Sequence, residues 1–104
     1  MKVGLNVSER LSLMGIMPKE DNFVRLKLIR RLVDKVGLSA TEITQFGLKQ
    51  EGMQVTWNEE GKSDKEMEFE EAEVDLIKAE LKKLDEQKKL TQQLFTVFEK
   101  FVGA

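Results

Sequence analysis

At 104 residues, 40% apolar and 35% charged, the chain has the size of one globular domain and too much apolar content for full disorder. It contains no Cys, His or Tyr, so disulfides, thiolate or imidazole metal sites and nucleophile–imidazole pairs are excluded, and acid–base chemistry would fall to Asp, Glu or Lys. The net charge of −2 conceals a dipole: residues 1–50 carry nine Lys or Arg against five acids, and Glu51–Asp75 carries ten acids against two Lys.

Val3–Val7 reads as a short extended arm. Ser8 is expected to cap a helix over Glu9–Met14, closed by Gly15 and by a turn through Ile16, Met17 and Pro18. Asn22–Val36 carries the clearest helical pattern. Leu26, Leu28, Ile29, Leu32, Val33 and Val36 fill one arc, while Lys27, Arg30, Arg31 and Lys35 lie mostly on the other, and Gly37 is placed as a left-handed terminator. Ser39 with Glu42 forms a capping-box signature, and Leu38 with Ile43 a hydrophobic staple, for a third helix that stops at Gly47.

Met53, Val55 and Trp57 alternate with Gln54 and Thr56 as a strand with one apolar face. Met67 and Phe69 alternate with Glu66 and Glu68 and are expected to return antiparallel to it across the polar loop Asn58–Asp64. In that arrangement Trp57 is buried against the second helix or against the helix that follows. Glu70–Asp85 is that helix, with acids in its first turns and Lys78, Lys82 and Lys83 later, as the helix dipole favours. Its main stripe is Val74, Ile77, Leu81 and Leu84, with Ala72, Leu76 and Ala79 as a second. Thr91 is expected to cap a last helix, stapled by Leu90 and Phe95, with Leu94, Val97, Phe98, Phe101 and Val102 on its apolar face. The result is a single domain over residues 1–104, α+β and mainly α. Its order is three helices, a β-hairpin and two C-terminal helices, winged-helix-like in sequence of elements.

A winged helix would read DNA with Ala40–Phe46 and use Asn58–Asp64 as its wing. Duplex DNA demands cations there. Ala40–Phe46 has none, and the wing segment carries Glu59, Glu60 and Asp64 against Lys62. The candidate anion or nucleic-acid surface is instead Lys27, Arg30, Arg31 and Lys35, set against the simpler reading of a solvated helix face. A calcium loop built around Gly61 would begin at Thr56, which has no carboxylate, so that spacing fails. The acidic residues Glu59, Glu60, Asp64, Glu66 and Glu68 form either a solubilising rim or a surface that steers a basic partner. Phe95, Phe98 and Phe101 are core candidates that could also meet a second copy.

Three stretches together resemble small uncharacterised proteins of tailed phages and prophages. They are Gly15-Ile16-Met17-Pro18-Lys19-Glu20 running into Leu26–Arg30, Phe46–Gly52 before the strand, and Leu81–Asp85 leading to Phe98–Gly103. The resemblance implies a phage accessory protein and transfers no activity.

The expected function is that of a non-enzymatic binding or regulatory protein without cofactor, metal or catalytic residue. It would dock on another protein, a host protein if the chain is phage-encoded, through the acidic hairpin region and an apolar patch drawn from Met14, Met17, Met53 or Met67. Alternatives are a nucleic-acid module using the basic second helix and a structural subunit of a phage assembly, and a homodimer fits the aromatic C-terminal face. Met1–Met17 contains Glu9 and Arg10 and does not read as a leader, and no run approaches the roughly 18 apolar residues of a membrane span, so the cytoplasm is the expected compartment.

Overall fold

A computed structural model describes residues 1–103. Along the chain run β1 (Lys2–Leu5), α1 (Val7–Ile16), α2 (Phe23–Val36), α3 (Ala40–Gln45), β2 (Lys49–Glu51), β3 (Gln54–Thr56), β4 (Lys65–Glu68), α4 (Glu71–Glu86) and α5 (Phe95–Phe101). Single 3-10 turns occupy Glu59–Lys62 and Gln92–Leu94. The domain is α+β and mainly α, with three helices before a hairpin and two after it.

The strands pair differently from the sequence expectation. β2 and β3 form the hairpin, with Glu51 opposite Gln54, and β4 pairs antiparallel with the N-terminal arm β1, with Val3 opposite Met67. Local chemistry explains the first pairing. Gly52 has φ +63 and Met53 does not share that sign, which is the pattern of a two-residue type II′ turn with glycine first. A two-residue closure costs less chain entropy than one spanning the polar loop, by about 1 kcal/mol. Burial explains the second: Val3, Leu5 and Met67 all turn onto the core, and a slip of one residue would expose them. Asn58–Asp64 therefore joins strands of two separate sheets, through the 3-10 turn, and is not the tip of a hairpin.

The core gathers Leu13 from α1 and Met17 just after it, Ile29, Leu32 and Val36 from α2, Val74, Leu76, Ile77 and Leu81 from α4, and Leu94, Val97 and Phe101 from the C-terminal segment. Phe69, just after β4, meets Phe101 edge to face at 5.3 Å, which fastens α5 beneath the β1–β4 ladder. The arc expected on α2 is the arc that packs, with Leu26, Leu28 and Val33 partly buried beside it. On α4 the second stripe is reduced to Leu76, because Ala72 and Ala79 are exposed.

Several helix ends shift from expectation. Asn6, not Ser8, caps α1 in a capping box with Glu9, and α1 runs through Gly15 to Ile16. Ser39 and Glu42 close their capping box as expected. Gly37 ends α2 at φ −63, so it is not a left-handed terminator. Thr91 makes no side-chain cap, and Phe95 is exposed.

Trp57 is half-buried and does not pack into the core as expected. Because its strand closes locally on β2, the face of Met53, Val55 and Trp57 never lies over α2 or α4. Met53 is fully solvent-exposed, at 103%.

Candidate functional site

The hairpin stands beside α1 and leaves a groove of about 620 Å³ between them. One wall is a single helical face, Ser8, Leu11, Ser12, Gly15 and Ile16, at the spacing that places residues on one side of an α-helix. The other wall is the run Met53–Trp57, and Thr91, Gln93 and Leu94 close one end. None of the residues lining the groove is charged, in a chain that is 35% charged.

Two contacts set the hairpin at this distance. Asn58 donates from Nδ2 to the Gln45 carbonyl at 2.9 Å, its backbone N–H donates to the Phe46 carbonyl at 2.8 Å, and its Oδ1 accepts from the Glu60 N–H at 3.0 Å. Trp57 packs against Gly61, where an added Cβ would fall 2.6 Å from the indole Cδ1, so only glycine lets the ring approach. On the helix wall a Cβ at Gly15 would meet nothing within 4 Å, so the groove is open there.

Most residues of the two charged surfaces anticipated from sequence have ion-pair partners, but no acidic candidate pairs with a basic one. Of the acidic set, Asp64 accepts from Lys100 at 3.2 Å, Glu66 pairs with Lys2 at 3.6 Å, Glu68 with the Met1 amino group at 3.3 Å, and Glu59 with Lys62 at 2.8 Å. Glu60 is exposed. Of the basic set, Arg31 bonds Glu70 and Lys35 bonds Glu73, both on the α4 side, while Lys27 sits 5.5 Å over the Phe23 ring. Arg30 is exposed, beside a shallow cleft with Phe23 and Leu26. Arg31 and Lys35, with Lys2, thus tie the basic first half of the sequence to the acidic stretch at Glu70, Glu73 and Glu66. Of the three aromatic candidates for self-association, Phe101 is core, Phe98 is half-buried and Phe95 is exposed. Of the methionine patch, Met17 and Met67 are buried, Met14 is half-buried and only Met53 is free.

Sequence reasoning missed the buried charges. Arg10, 2% exposed, donates Nε to the Val36 carbonyl at 2.8 Å and Nη2 to the Gly37 carbonyl at 2.7 Å, and grips both oxygens of Glu42 at 2.6 and 3.0 Å. It therefore closes the C-terminus of α2 and ties α1 to α3. The Arg10 hydrogen bonds, aided by the Ser39 N–H, hold the Glu42 carboxyl down at about 2 despite its burial.

Lys100 spends its three donors on the Gly4 carbonyl at 2.7 Å, Glu9 at 2.7 Å and Asp64 at 3.2 Å, joining α5 to β1, to α1 and to the residue before β4. Burial by itself raises the Glu9 carboxyl, but bonds from Lys100, the Asn6 N–H and Thr96 outweigh it and leave the group below its ordinary range. Burial of Lys100 acts to lower its ammonium, and the two carboxylates reverse that, raising it above the ordinary lysine value. Glu73 follows the pattern of Glu9: burial raises it, and Lys35 with the Glu70 N–H brings it below the ordinary range. A capping-box glutamate that lands at a buried helix start is the signal that could have identified Glu9, Glu42 and Glu73 together. These clusters clamp the fold, and none borders the groove.

Among the described residues no group of three or more His, Cys, Asp or Glu is placed to hold a metal, and no helix is long and apolar enough to cross a membrane. No family model, curated protein or solved structure matches the chain.

Proposed function

We propose that this protein is a non-enzymatic docking module that binds another protein through the groove between α1 and the β2–β3 hairpin. The reading rests on one observation: a groove of about 620 Å³, within the usual range of ligand clefts, whose lining holds no charged group. Uncharged hydroxyls and amides orient a partner there, Leu11, Ile16, Val55 and Trp57 supply apolar area, and the free Met53 thioether adapts to an irregular surface. The lining offers no carboxylate or amine as acid or base, which favours binding over catalysis.

Acidic steering has a reduced part in this reading. Four of the five acidic candidates already have partners, which leaves Glu60 at the mouth of the 3-10 turn as the freest charge. The nucleic-acid alternative through α2 is disfavoured for the same reason, since Arg31 and Lys35 are paired with α4. A phage accessory role in a host cytoplasm rests on the three sequence stretches alone.

Gly15→Arg and Met53→Glu test the reading, since both positions have open space and neither supports the core. Each places a charge in the groove while leaving thermal unfolding unchanged. A protein captured from host lysate by the wild type, retained by Glu60→Lys and lost by both groove variants is the expected result. Equal capture by all four proteins overturns it.

A further inference from the structure

We infer that the groove accepts an extended, uncharged peptide segment that adds to the outer edge of β3 as a third strand. This deepens the docking reading and rests on it.

The first observation is which residues border the cavity. Side chains of a strand alternate between its faces, so a cavity on one face touches every second residue. Here Met53, Gln54, Val55, Thr56 and Trp57 all border the groove. A run without alternation means that the cavity follows the strand's edge.

The second observation is that this edge is unpaired. Among the described residues β3 has β2 as its one strand neighbour. The two-residue turn at Gly52-Met53 makes Glu51 and Gln54 the pair that exchanges backbone bonds, and two residues on Lys49 and Thr56 repeat it. Val55 lies between those pairs, so its N–H and C=O point away from β2 and into the groove. Natural sheets protect such an edge by keeping it very short, as the three residues of β3 do, and also with charges, proline or a covering element. β3 is Gln54-Val55-Thr56, with no charge and no proline.

The third observation identifies the occupant. The far wall is α1, whose Leu11 and Ile16 present apolar surface while Ser8 and Ser12 present hydroxyls. Gly15 leaves room for a backbone to pass. A strand laid along β3 would present its far backbone edge to the Ser8 and Ser12 hydroxyls, with its side chains alternating above and below the sheet and flanked by Leu11 and Ile16. Burying a charge against an uncharged lining is costly, so the segment is neutral, with apolar residues at alternate positions.

The test uses the full chain and capped synthetic peptides of about eight residues, alternating Val or Leu with Ser or Thr. Trp57 fluorescence reports occupancy. Each peptide is also made with N-methyl groups on every second backbone nitrogen, in both phases, which removes donors without changing side chains. Strand addition predicts binding that falls by roughly tenfold or more for one phase and little for the other, with the Val55 amide protected from exchange in the complex. Equal binding by both methylated phases overturns strand addition while leaving the groove as a docking site. Peptides that never perturb Trp57, or a Val55 amide protected only through self-association of the protein, also overturn it. The docking reading is judged separately by Gly15→Arg and Met53→Glu, so the two ideas fail by different results.

Discussion

The two small sheets of this domain do opposite things with the same backbone chemistry. The β1–β4 ladder buries Val3, Leu5 and Met67, seats Phe69 on Phe101, and lines its outer face with paired charges such as Lys2 and Glu66. No residue of either strand in the β2–β3 hairpin is buried, and the β3 edge carries no charge. A strand contributes stability when its apolar side chains leave water. The first sheet meets that condition. The second holds its shape through a tight turn and the Asn58 anchor, and its apolar groups remain available. The difference assigns stability to the first sheet and leaves the second free for the docking role proposed above.

That assignment can be broken most directly by truncating one residue at the end of the β1–β4 ladder and one in the hairpin. Phe69→Ala is expected to cost about 3–5 kcal/mol, because it empties a buried aromatic site at the junction with α5. Val55→Ala is expected to stay within about 0.5 kcal/mol. Urea denaturation of both variants decides the matter, and comparable losses would mean that the hairpin is part of the core.

The buried charges sharpen the contrast with the neutral groove. Arg10→Met should destabilise by about 3–5 kcal/mol, since it strands the Glu42 carboxylate and two carbonyls that Arg10 now satisfies. Pairing it with Glu42→Gln should recover part of that loss, which a double-mutant cycle would measure.

The same pair fixes an acid response. The Glu42 carboxyl lies near 2 in the folded protein against an ordinary 4.5. A depressed folded-state value stabilises the protein above the unfolded value, so the contribution is complete above pH 4.5 and disappears as pH falls toward 2. The loss is about 3 kcal/mol. Glu9 and Glu73 shift in the same direction and add to it. Stability curves of Glu42→Gln should be visibly flatter across that window, and an unchanged curve would contradict the clamp.

Gly61→Ala should cost about 1–3 kcal/mol by driving the Trp57 indole from its seat, and should shift Trp emission toward that of a solvent-exposed ring. Met53→Glu should leave stability within about 0.5 kcal/mol and act on binding alone. Destabilisation by Met53→Glu would show that the hairpin tip contributes to the fold.

The sequence by itself determined the helices and most of the core. Period-3.6 patterning placed α2, α4 and the face of α5, and the capping box Ser39–Glu42 fixed the start of α3, because these signals are local and the burial they predict follows from spacing alone. The separation into an acidic and a basic stretch was also legible. What became of it was not: Lys35 meets Glu73, Arg31 meets Glu70 and Lys100 meets Glu9 across 38, 39 and 91 residues of chain, and no local rule gives such separations. Strand pairing was decided by the same kind of competition. Met53–Trp57 and Met67–Phe69 each alternate correctly for a strand, but the alternation does not name a partner. Only the assembled core shows that Val3 belongs opposite Met67, whereas β3 closes on β2 through the local Gly52-Met53 turn, a signal that alternation alone passes over. The groove follows from that choice. Its two walls are 8–16 and 53–57, and they become one site only because tertiary packing, through Asn58 and Gly61, holds the hairpin beside α1.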